Sequence, residues 1–173
     1  QFSNAIVNPR MSSKSLNPFM LFAQIREGLK NSSGFKSEEA RAELFERLEL
    51  VEKEYDILIS YISSWIVPKT VLKKTKRWNI NFHPGPPEYP GIGCFNFAIF
   101  DSAKQFGATA HIMEPKVDTG EIIGVKRFSM TEKETVETLS KKTYEAQLSL
   151  YKDIIDYIMV NNCLPKCDET WKR

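Results

Sequence analysis

The chain has 173 residues, of which 42% are hydrophobic and 27% charged, and its 24 Lys and Arg against 22 Asp and Glu leave a net charge of +2. This composition is that of one folded globular domain, and it excludes the disordered, collagen-like and disulfide-rich classes. The charge gives no field strong enough to indicate nucleic-acid binding, and no apolar run reaches the roughly 18 residues of a membrane span.

The first third of the sequence predicts a short strand and two helices. Residues 5–7 are a short β candidate. Asn17-Pro18 is typical of a helix start, with an N-cap residue before a proline at the first helical position, and the apolar spacing extends this helix over 18–30. A second, amphipathic helix is predicted over 37–54, because its apolar residues line one face.

A change to short apolar, β-branched segments follows. Residues 57–62 have the pattern of a buried strand, and a short helical stretch with Val71 and Leu72 comes after Pro68. The basic residues 73–77 are interpreted as the solvated end of that helix.

The next strand is predicted over 78–82, where His83-Pro84 ends it. Residues 84–93 hold four Pro and three Gly, and this content predicts a shaped loop rather than regular structure. A helix is predicted to begin near Phe95.

The last third predicts two strands and one long helix. A strand opened by Gly107 is predicted over about 108–113, a turn over 118–120, and a further strand from Ile122. Thr131 and Glu134 have the spacing of a capping box, and the helical spacing that follows predicts one helix over about 132–159.

Alternating helices and short apolar strands predict an α/β domain with a largely parallel sheet. Ligands of such sheets bind at the carboxyl ends of the strands. Asn81 and His83 lie at the carboxyl end of the strand over 78–82 and share one face, since they are two residues apart. Asp118, on a turn between two strands, could orient or charge that imidazole.

An amide, an imidazole and a carboxylate suit a reaction that develops negative charge on a carbonyl oxygen. Each residue also has a structural interpretation. Asn-x-His at a strand end can be a hydrogen-bonding pair, Asp before Thr-Gly is a common turn former, and His111 could be a core histidine. The residues alone therefore leave the function open.

Other kinds of site are poorly supported. Gly91 and Gly93 begin like a dinucleotide fingerprint, but Asn96 stands where the third glycine belongs. The two His and Asp118 match no compact metal-ligand spacing, so no metal is predicted. The three cysteines are scattered and are interpreted as free thiols, which predicts a reducing compartment and a cytoplasmic location.

Three ordered motifs resemble the folate-dependent formyltransferase family, whose core reads Asn-x-His-Pro, then Gly-Val-Thr-x-His, then Asp-x-Gly-x-Ile-Ile. The matching segments here are residues 81–84, 107–111 and 118–123, and the clear resemblance covers about residues 56–125. It implies a Rossmann-like α/β fold, with a mostly parallel sheet flanked by helices. Residues 1–160 would form the catalytic domain, and residues 161–173 a tail leading out of it.

The resemblance also implies the chemistry. The formyl donor would be 10-formyltetrahydrofolate, and a substrate amine would attack the formyl carbon directly. The family's catalytic Asn, His and Asp correspond to Asn81, His83 and Asp118, with His111 in a supporting role. Asn81 and His83 would stabilise the oxyanion, and Asp118 would raise the proton affinity of His83 or help to relay a proton.

The pterin pocket of the family corresponds to two segments, one after the first strand of this region and one before the catalytic carboxylate. Their residues are Ser64, Trp65, Ile66 and Val67, and Glu114, Pro115, Lys116 and Val117. Backbone groups would meet the hydrogen-bonding edge of the pterin, and apolar side chains would surround its ring.

The loop after His83-Pro84 departs from the Ser-Leu-Leu-Pro of better-known members, so the acceptor stays open. An amino sugar, such as one on a nucleotide carrier, is the preferred acceptor, because +2 is a weak charge for binding tRNA. The alternatives are a hydrolase that passes the formyl group to water, and a folate-binding or interaction domain without turnover. No membrane partner is expected, and a homodimer is left open.

Overall fold

The computed structural model describes residues 55–63 and 66–172. The strand predicted at residues 5–7 and the helices predicted over 18–30 and 37–54 lie outside the described residues. So do Ser64 and Trp65, two of the predicted pterin-pocket residues.

Four strands and three helices are described. In chain order they are β1 (Tyr55–Tyr61), α1 (Lys69–Leu72), β2 (Thr75–His83), α2 (Cys94–Phe100), β3 (Gln105–Ile112), β4 (Ile122–Ser129) and α3 (Val136–Asn161). Each strand and helix predicted between residues 57 and 159 is confirmed in kind. The chain forms two compact units, Gln1–Ile80 and Asn81–Arg173, and β2 crosses from one to the other.

The described strands form one sheet in the order β1-β2-β3-β4, mostly parallel and flanked by helices, which confirms the predicted α/β fold. β3 and β4 pair antiparallel, from Gln105 opposite Ser129 to His111 opposite Ile122. The register shifts between Ala110 and His111. Such a bulge bends the strand and redirects the side chain beside it.

The basic residues 73–77 are divided between two elements, which corrects their interpretation as a helix end. Lys73 is the C-cap of α1, and the strand β2 already begins at Thr75. The guanidinium of Arg77 lies 3.9 Å from the centroid of the Trp78 ring. A long basic side chain can cover an aromatic ring in this way while its strand continues, so the positive charge did not mark a helix end.

The second unit has its own apolar core beside α2. Cys94 and Ala98 of this helix are buried together with Phe106 of β3 and Leu139 of α3. β3 is buried on both faces from Phe106 to His111, as a strand covered on both sides should be. This packing fixes the strand that carries His111.

The long helix begins four residues later than predicted. Thr135, not Thr131, is the N-cap, and its side chain accepts a hydrogen bond from the backbone N–H of Thr138 while the Thr138 hydroxyl accepts from the N–H of Thr135. A reciprocal cap of this kind satisfies two backbone donors at the helix start. Glu134 instead closes a turn on Thr131 (N to O, 3.2 Å).

β3 and β4 approach each other closely at Gly107. A Cβ atom there would lie 2.2 Å from the carbonyl oxygen of Lys126 and 3.0 Å from the Cα of Arg127. Only glycine lets the two backbones come this close.

After α3, the chain returns to the second unit. We expected residues 161–173 to lead out of the domain. The backbone N–H of Lys172 instead donates to the carbonyl of Pro87 (2.9 Å), and Trp171 Nε1 donates to the carbonyl of Gly120 (2.8 Å). Residues this far apart in sequence leave no local signal of their pairing. Among the described residues, no helix is both long enough and apolar enough to cross a bilayer.

Candidate active site

Asn81 and His83 lie at the carboxyl end of β2, as predicted. Between them, the ring of Phe82 packs edge-to-face on Tyr151 with a centroid distance of 5.3 Å, and its carbonyl accepts a hydrogen bond from Nε2 of Gln147. Gln147 and Tyr151 both lie on α3, so the long helix holds the end of β2 in place. The two polar side chains therefore project from an anchored strand end.

His83 is 5% exposed and bonded on one side to the loop that follows it. Its Nε2 lies 2.9 Å from the carbonyl oxygen of Tyr89. A carbonyl only accepts hydrogen bonds, so this nitrogen carries a proton and donates it. A Cβ atom at Gly85 would lie 2.7 Å from the same nitrogen, so glycine at this position leaves room for the imidazole.

His111 is 2% exposed and is held by its own strand. Its Nδ1 lies 2.8 Å from the carbonyl oxygen of Ile112 and therefore donates to it. Its Nε2 lies 3.0 Å from Nδ2 of Asn81. The amide N–H of Asn81 can donate to that nitrogen, and this contact joins β2 to β3 at the site.

Asp118 is 4% exposed and lies between the two imidazoles. Its Oδ2 accepts a hydrogen bond from the backbone N–H of Gly91 (2.7 Å) and lies 3.4 Å from Nδ1 of His83. Its Oδ1 lies 3.2 Å from Nε2 of His111. The structure thus brings Asn81, His83, His111 and Asp118 together, although the motifs that carry them are far apart in sequence.

The two imidazoles are arranged in the same way around this carboxylate. In each ring, one nitrogen donates to a backbone carbonyl, Tyr89 for His83 and Ile112 for His111. The other nitrogen faces Asp118. A second proton on His83 would therefore arrive next to the negative charge of Asp118, which favours the imidazolium. The arrangement can take up a proton and release it again.

Burial and charge oppose each other at His83. Burial lowers the pKa of His83 below its ordinary value, because the charged form loses its hydration, while the charge of Asp118 and the Tyr89 carbonyl act in the opposite direction. For Asp118, burial raises the pKa, but the close contact with His111, the charge of His83 and the Gly91 N–H together hold it below its ordinary value. At neutral pH the carboxylate is ionised.

Thr109 supports the site from β3 and was not singled out in the sequence. Its buried hydroxyl donates to the carbonyl of Gly85 at 2.7 Å, which ties the loop after His83 to the sheet. Its place in the segment 107–111, two residues before His111, was the signal that could have found it. Trp171, which contacts both imidazoles, had no such signal.

The predicted pterin-pocket residues lie in both units. Glu114, Pro115, Lys116 and Val117 are exposed and lead directly into Asp118. The hydroxyl of Thr119 donates to the carbonyl of Lys116 (2.8 Å) and closes that turn. In the first unit, Ile66 is exposed and Val67 is half-buried.

All three cysteines are free thiols. Cys94 is buried near the site, and burial raises the pKa of its thiol to about 11, so it is neutral and unreactive at physiological pH. Within residues 55–63 and 66–172, no group of three or more His, Cys, Asp or Glu side chains could hold a metal ion.

Comparison with known proteins identifies the family. The family model described as "Formyl transferase" matches residues 5–155. Methionyl-tRNA formyltransferase of Listeria innocua is 30% identical over 108 residues, which are 62% of this chain and 35% of that protein. Phosphoribosylglycinamide formyltransferase of Bacillus subtilis is 30% identical over 121 residues, which are 69% of this chain and 61% of that protein.

A solved structure shares the fold. The sugar N-formyltransferase of a Shewanella species is 24% identical, with a TM-score of 0.58 over 79% of this chain and 52% of that one. The chain spans about a third to three fifths of the length of the curated relatives that it matches. The three motifs and the family match agree, and the chain belongs to the formyl transferase family.

Proposed function

We propose that this chain catalyses the transfer of a formyl group from 10-formyltetrahydrofolate to a primary amine, with Asn81, His83 and Asp118 as its catalytic residues. The proposal is carried by the position of Asp118 within 3.4 Å of His83 Nδ1 and 3.2 Å of His111 Nε2, beside the amide of Asn81. Membership of the formyl transferase family supports the reaction type.

In the proposed reaction, the amine nitrogen attacks the formyl carbon and forms the new C–N bond. The bond between that carbon and the donor nitrogen then breaks. The amine loses one proton, and the donor nitrogen gains one. Between the two steps, the formyl oxygen carries negative charge, and donors placed around it lower the barrier.

Two side chains supply those donors. The amide nitrogen of Asn81 has two N–H groups, and its contact with His111 uses one of them. The Nε2–H of His83 donates to the Tyr89 carbonyl in this structure, and we propose that it turns to the formyl oxygen as the second donor when the substrate binds. Asp118 faces the other nitrogen of that imidazole, and its charge favours uptake of a second proton there as negative charge develops on the formyl oxygen.

The residues present fit a folate-type donor. Glu114–Val117 are exposed beside the catalytic carboxylate, so a ligand can reach them, and Lys116 adds a positive charge for an anionic tail. We assign the pterin to this segment. When bound, the donor supplies the activated formyl group. In this proposal residues 1–160 supply the catalytic residues of a cytoplasmic enzyme, and the residues after them pack back on the second unit.

The acceptor is assigned from the loop after β2. This loop departs from the better-known members of the family, and it also holds the catalytic side chains, through the Tyr89 carbonyl on His83 and the Gly91 N–H on Asp118. A changed loop at the reacting centre fits a changed acceptor. We propose a small amino sugar, carried on a nucleotide, rather than tRNA, since a net charge of +2 gives little attraction for nucleic acid.

The proposed reaction is tested with a panel of acceptor amines and with variants of the catalytic residues. The protein is incubated with 10-formyltetrahydrofolate and a panel of amino-sugar nucleotides and small amines, and formylated products are identified by mass. Asn81→Ala, His83→Ala and Asp118→Asn should each lower kcat by about 10²–10³. Val160→Ala, at a position 83% exposed on α3, is the matched control and should keep full activity.

Three outcomes would contradict this proposal. Rapid release of formate without any amine, and no formylated product, would make the protein a hydrolase. Full activity in His83→Ala would remove the imidazole from the mechanism. A drop in melting temperature large enough to account for lost activity would make the side chain structural.

A further inference from the structure

The segment after α3 packs against the residues just described. From Lys166 to Lys172 exposed and half-buried residues alternate, and Cys167, Glu169 and Trp171 are the half-buried ones. A period of two is expected of an extended segment with one face against the protein. Residues 169–172 are called the tail segment below.

Hydrogen bonds and ion pairs tie the tail segment to the loop after β2 and to β4. The N–H of Lys172 donates to the carbonyl of Pro87 (2.9 Å), and its Nζ lies 2.7 Å from Oε1 of Glu88. Arg127 Nη1 lies 3.0 Å from Oε2 of Glu88, and the same guanidinium pairs with Glu169. One basic side chain of β4 therefore joins the sheet, the loop and the tail segment.

Trp171 is the tail residue that reaches the imidazoles. Its ring meets His83 at a centroid distance of 5.8 Å and an angle of 73°, and His111 at 5.1 Å and 85°. Both contacts are edge-to-face. The indole Nε1–H donates to the carbonyl of Gly120 at 2.8 Å, which fixes the orientation of the ring.

We propose that Trp171 is a positioning residue for formyl transfer: its indole holds both imidazoles against Asp118 and keeps water away from them. The proposal rests on the proposed function of the site. If water attacked in place of the amine, its oxygen would bond to the formyl carbon, the bond to the donor nitrogen would break, formate would leave, and the donor nitrogen would take a proton. Trp171 would suppress this side reaction.

The surroundings of His83 make it a clean reporter of this contact. The groups that face it are Asp118, His111 and the Tyr89 carbonyl. Cys94, whose pKa is raised to about 11, is neutral at the pH of the experiment. The charged tail residues are paired with Glu88 and Arg127. A change in the titration of His83 on removal of Trp171 therefore reports the lost indole.

The first measurement needs no substrate. The chain has two His, and both lie at the site, so their ring signals can be followed by NMR as the pH is changed. In Trp171→Ala the pKa of His83 should rise toward its ordinary value by about 0.5 unit or more, because the imidazole becomes hydrated. Trp171→Phe keeps an aromatic ring and should shift it less. Val160→Ala should not shift it.

The second measurement is the ratio of released formate to formylated amine at saturating amine. Trp171→Ala should raise this ratio about tenfold, and Trp171→Phe should restore most of the difference, because a ring again excludes water. Glu88→Gln weakens the anchor of the tail segment without altering the indole, and it should raise the ratio in the same direction by less. Glu88→Gln replaces Trp171→Ala as the test variant if Trp171→Ala does not fold.

The two proposals can fail separately. If the wild-type protein transfers no formyl group to any amine, the proposed function is wrong. Unchanged titration of His83 in folded Trp171→Ala overturns the role of Trp171, whatever the activity. An unchanged formate ratio, with the imidazoles shifted, overturns its role in excluding water. Folding of each variant is checked by thermal unfolding.

Discussion

His83 is held by neighbours that touch no reacting group. The carbonyl of Tyr89 accepts its Nε2–H, and Gly85 leaves the space that the ring needs. The hydroxyl of Thr109 holds the backbone of Gly85 from the adjacent strand. The position of the imidazole therefore depends on the loop, and the loop depends on one buried hydroxyl.

Replacing that hydroxyl tests this chain of contacts. Thr109→Val keeps the shape of the side chain but leaves the buried carbonyl of Gly85 without its donor, which should lower the free energy of unfolding by about 1–3 kcal/mol. The formyl-transfer rate should fall as well, since His83 is less well held. Denaturant unfolding and steady-state kinetics measure the two effects.

Thr109→Ser is the matched control, because it keeps the hydroxyl and loses only a methyl group. It should retain most of the activity. Equal losses in the two variants would show that packing of the methyl group, and not the hydrogen bond, supports the site.

The conformation of Asp118 could be predicted from the sequence more readily than its contacts. The turn over 118–120 was predicted from residue types, and the residue has φ 48°, in the left-handed region where Asp is among the tolerated side chains. Its closeness to His83 was left as one possibility by the residue types and was implied by the resemblance to a family. Trp171 was not predicted at all, because its partner Gly120 lies 51 residues away in sequence.

Helix starts were harder to predict than helices. Thr131 with Glu134 and Thr135 with Thr138 both have capping spacing, and the sequence alone favoured the first pair. The second pair forms the cap, since the Thr138 N–H donates to the Thr135 hydroxyl at 3.2 Å. The helix itself was predictable, because its buried residues recur at spacings of three and four.

The two threonines make a matched pair of variants. Thr135→Ala removes the N-cap of α3 and should lower the free energy of unfolding by about 1 kcal/mol. Thr131→Ala removes only an exposed contact with Glu134 (3.3 Å) and should change it by less than half as much. Urea titration gives both values. A larger loss of stability in Thr131→Ala than in Thr135→Ala would show that the helix begins at its predicted position.

For the molecule as a whole, the buried site makes stability depend on pH. The pKa of His83 is lowered from 6.5 by burial, so below about pH 6.5 the unfolded chain binds more protons than the folded one. The free energy of unfolding must fall as the pH drops through this range. The pKa of Asp118 is lowered from 3.8, so the stability it contributes is complete above that pH and is lost as the pH falls further.

Unfolding in urea between pH 8 and pH 3 should therefore show two successive losses of stability on acidification. His83→Gln should flatten the first loss, because a neutral amide does not titrate, and should reduce the second only in part, because His111 and the Gly91 N–H still lower the pKa of Asp118. A first loss of the same size in His83→Gln would assign it to other groups.

The close approach of two backbones at Gly107 restricts which mutations the gene can accept. A side chain there would collide with the backbone of Lys126 and Arg127, and Arg127 is the residue that ties β4 to Glu88 and Glu169. A codon change at this glycine would displace Arg127 and, through Glu88, the loop that contacts His83 and Asp118. Descendants of this gene that keep the enzyme working should tolerate no replacement there.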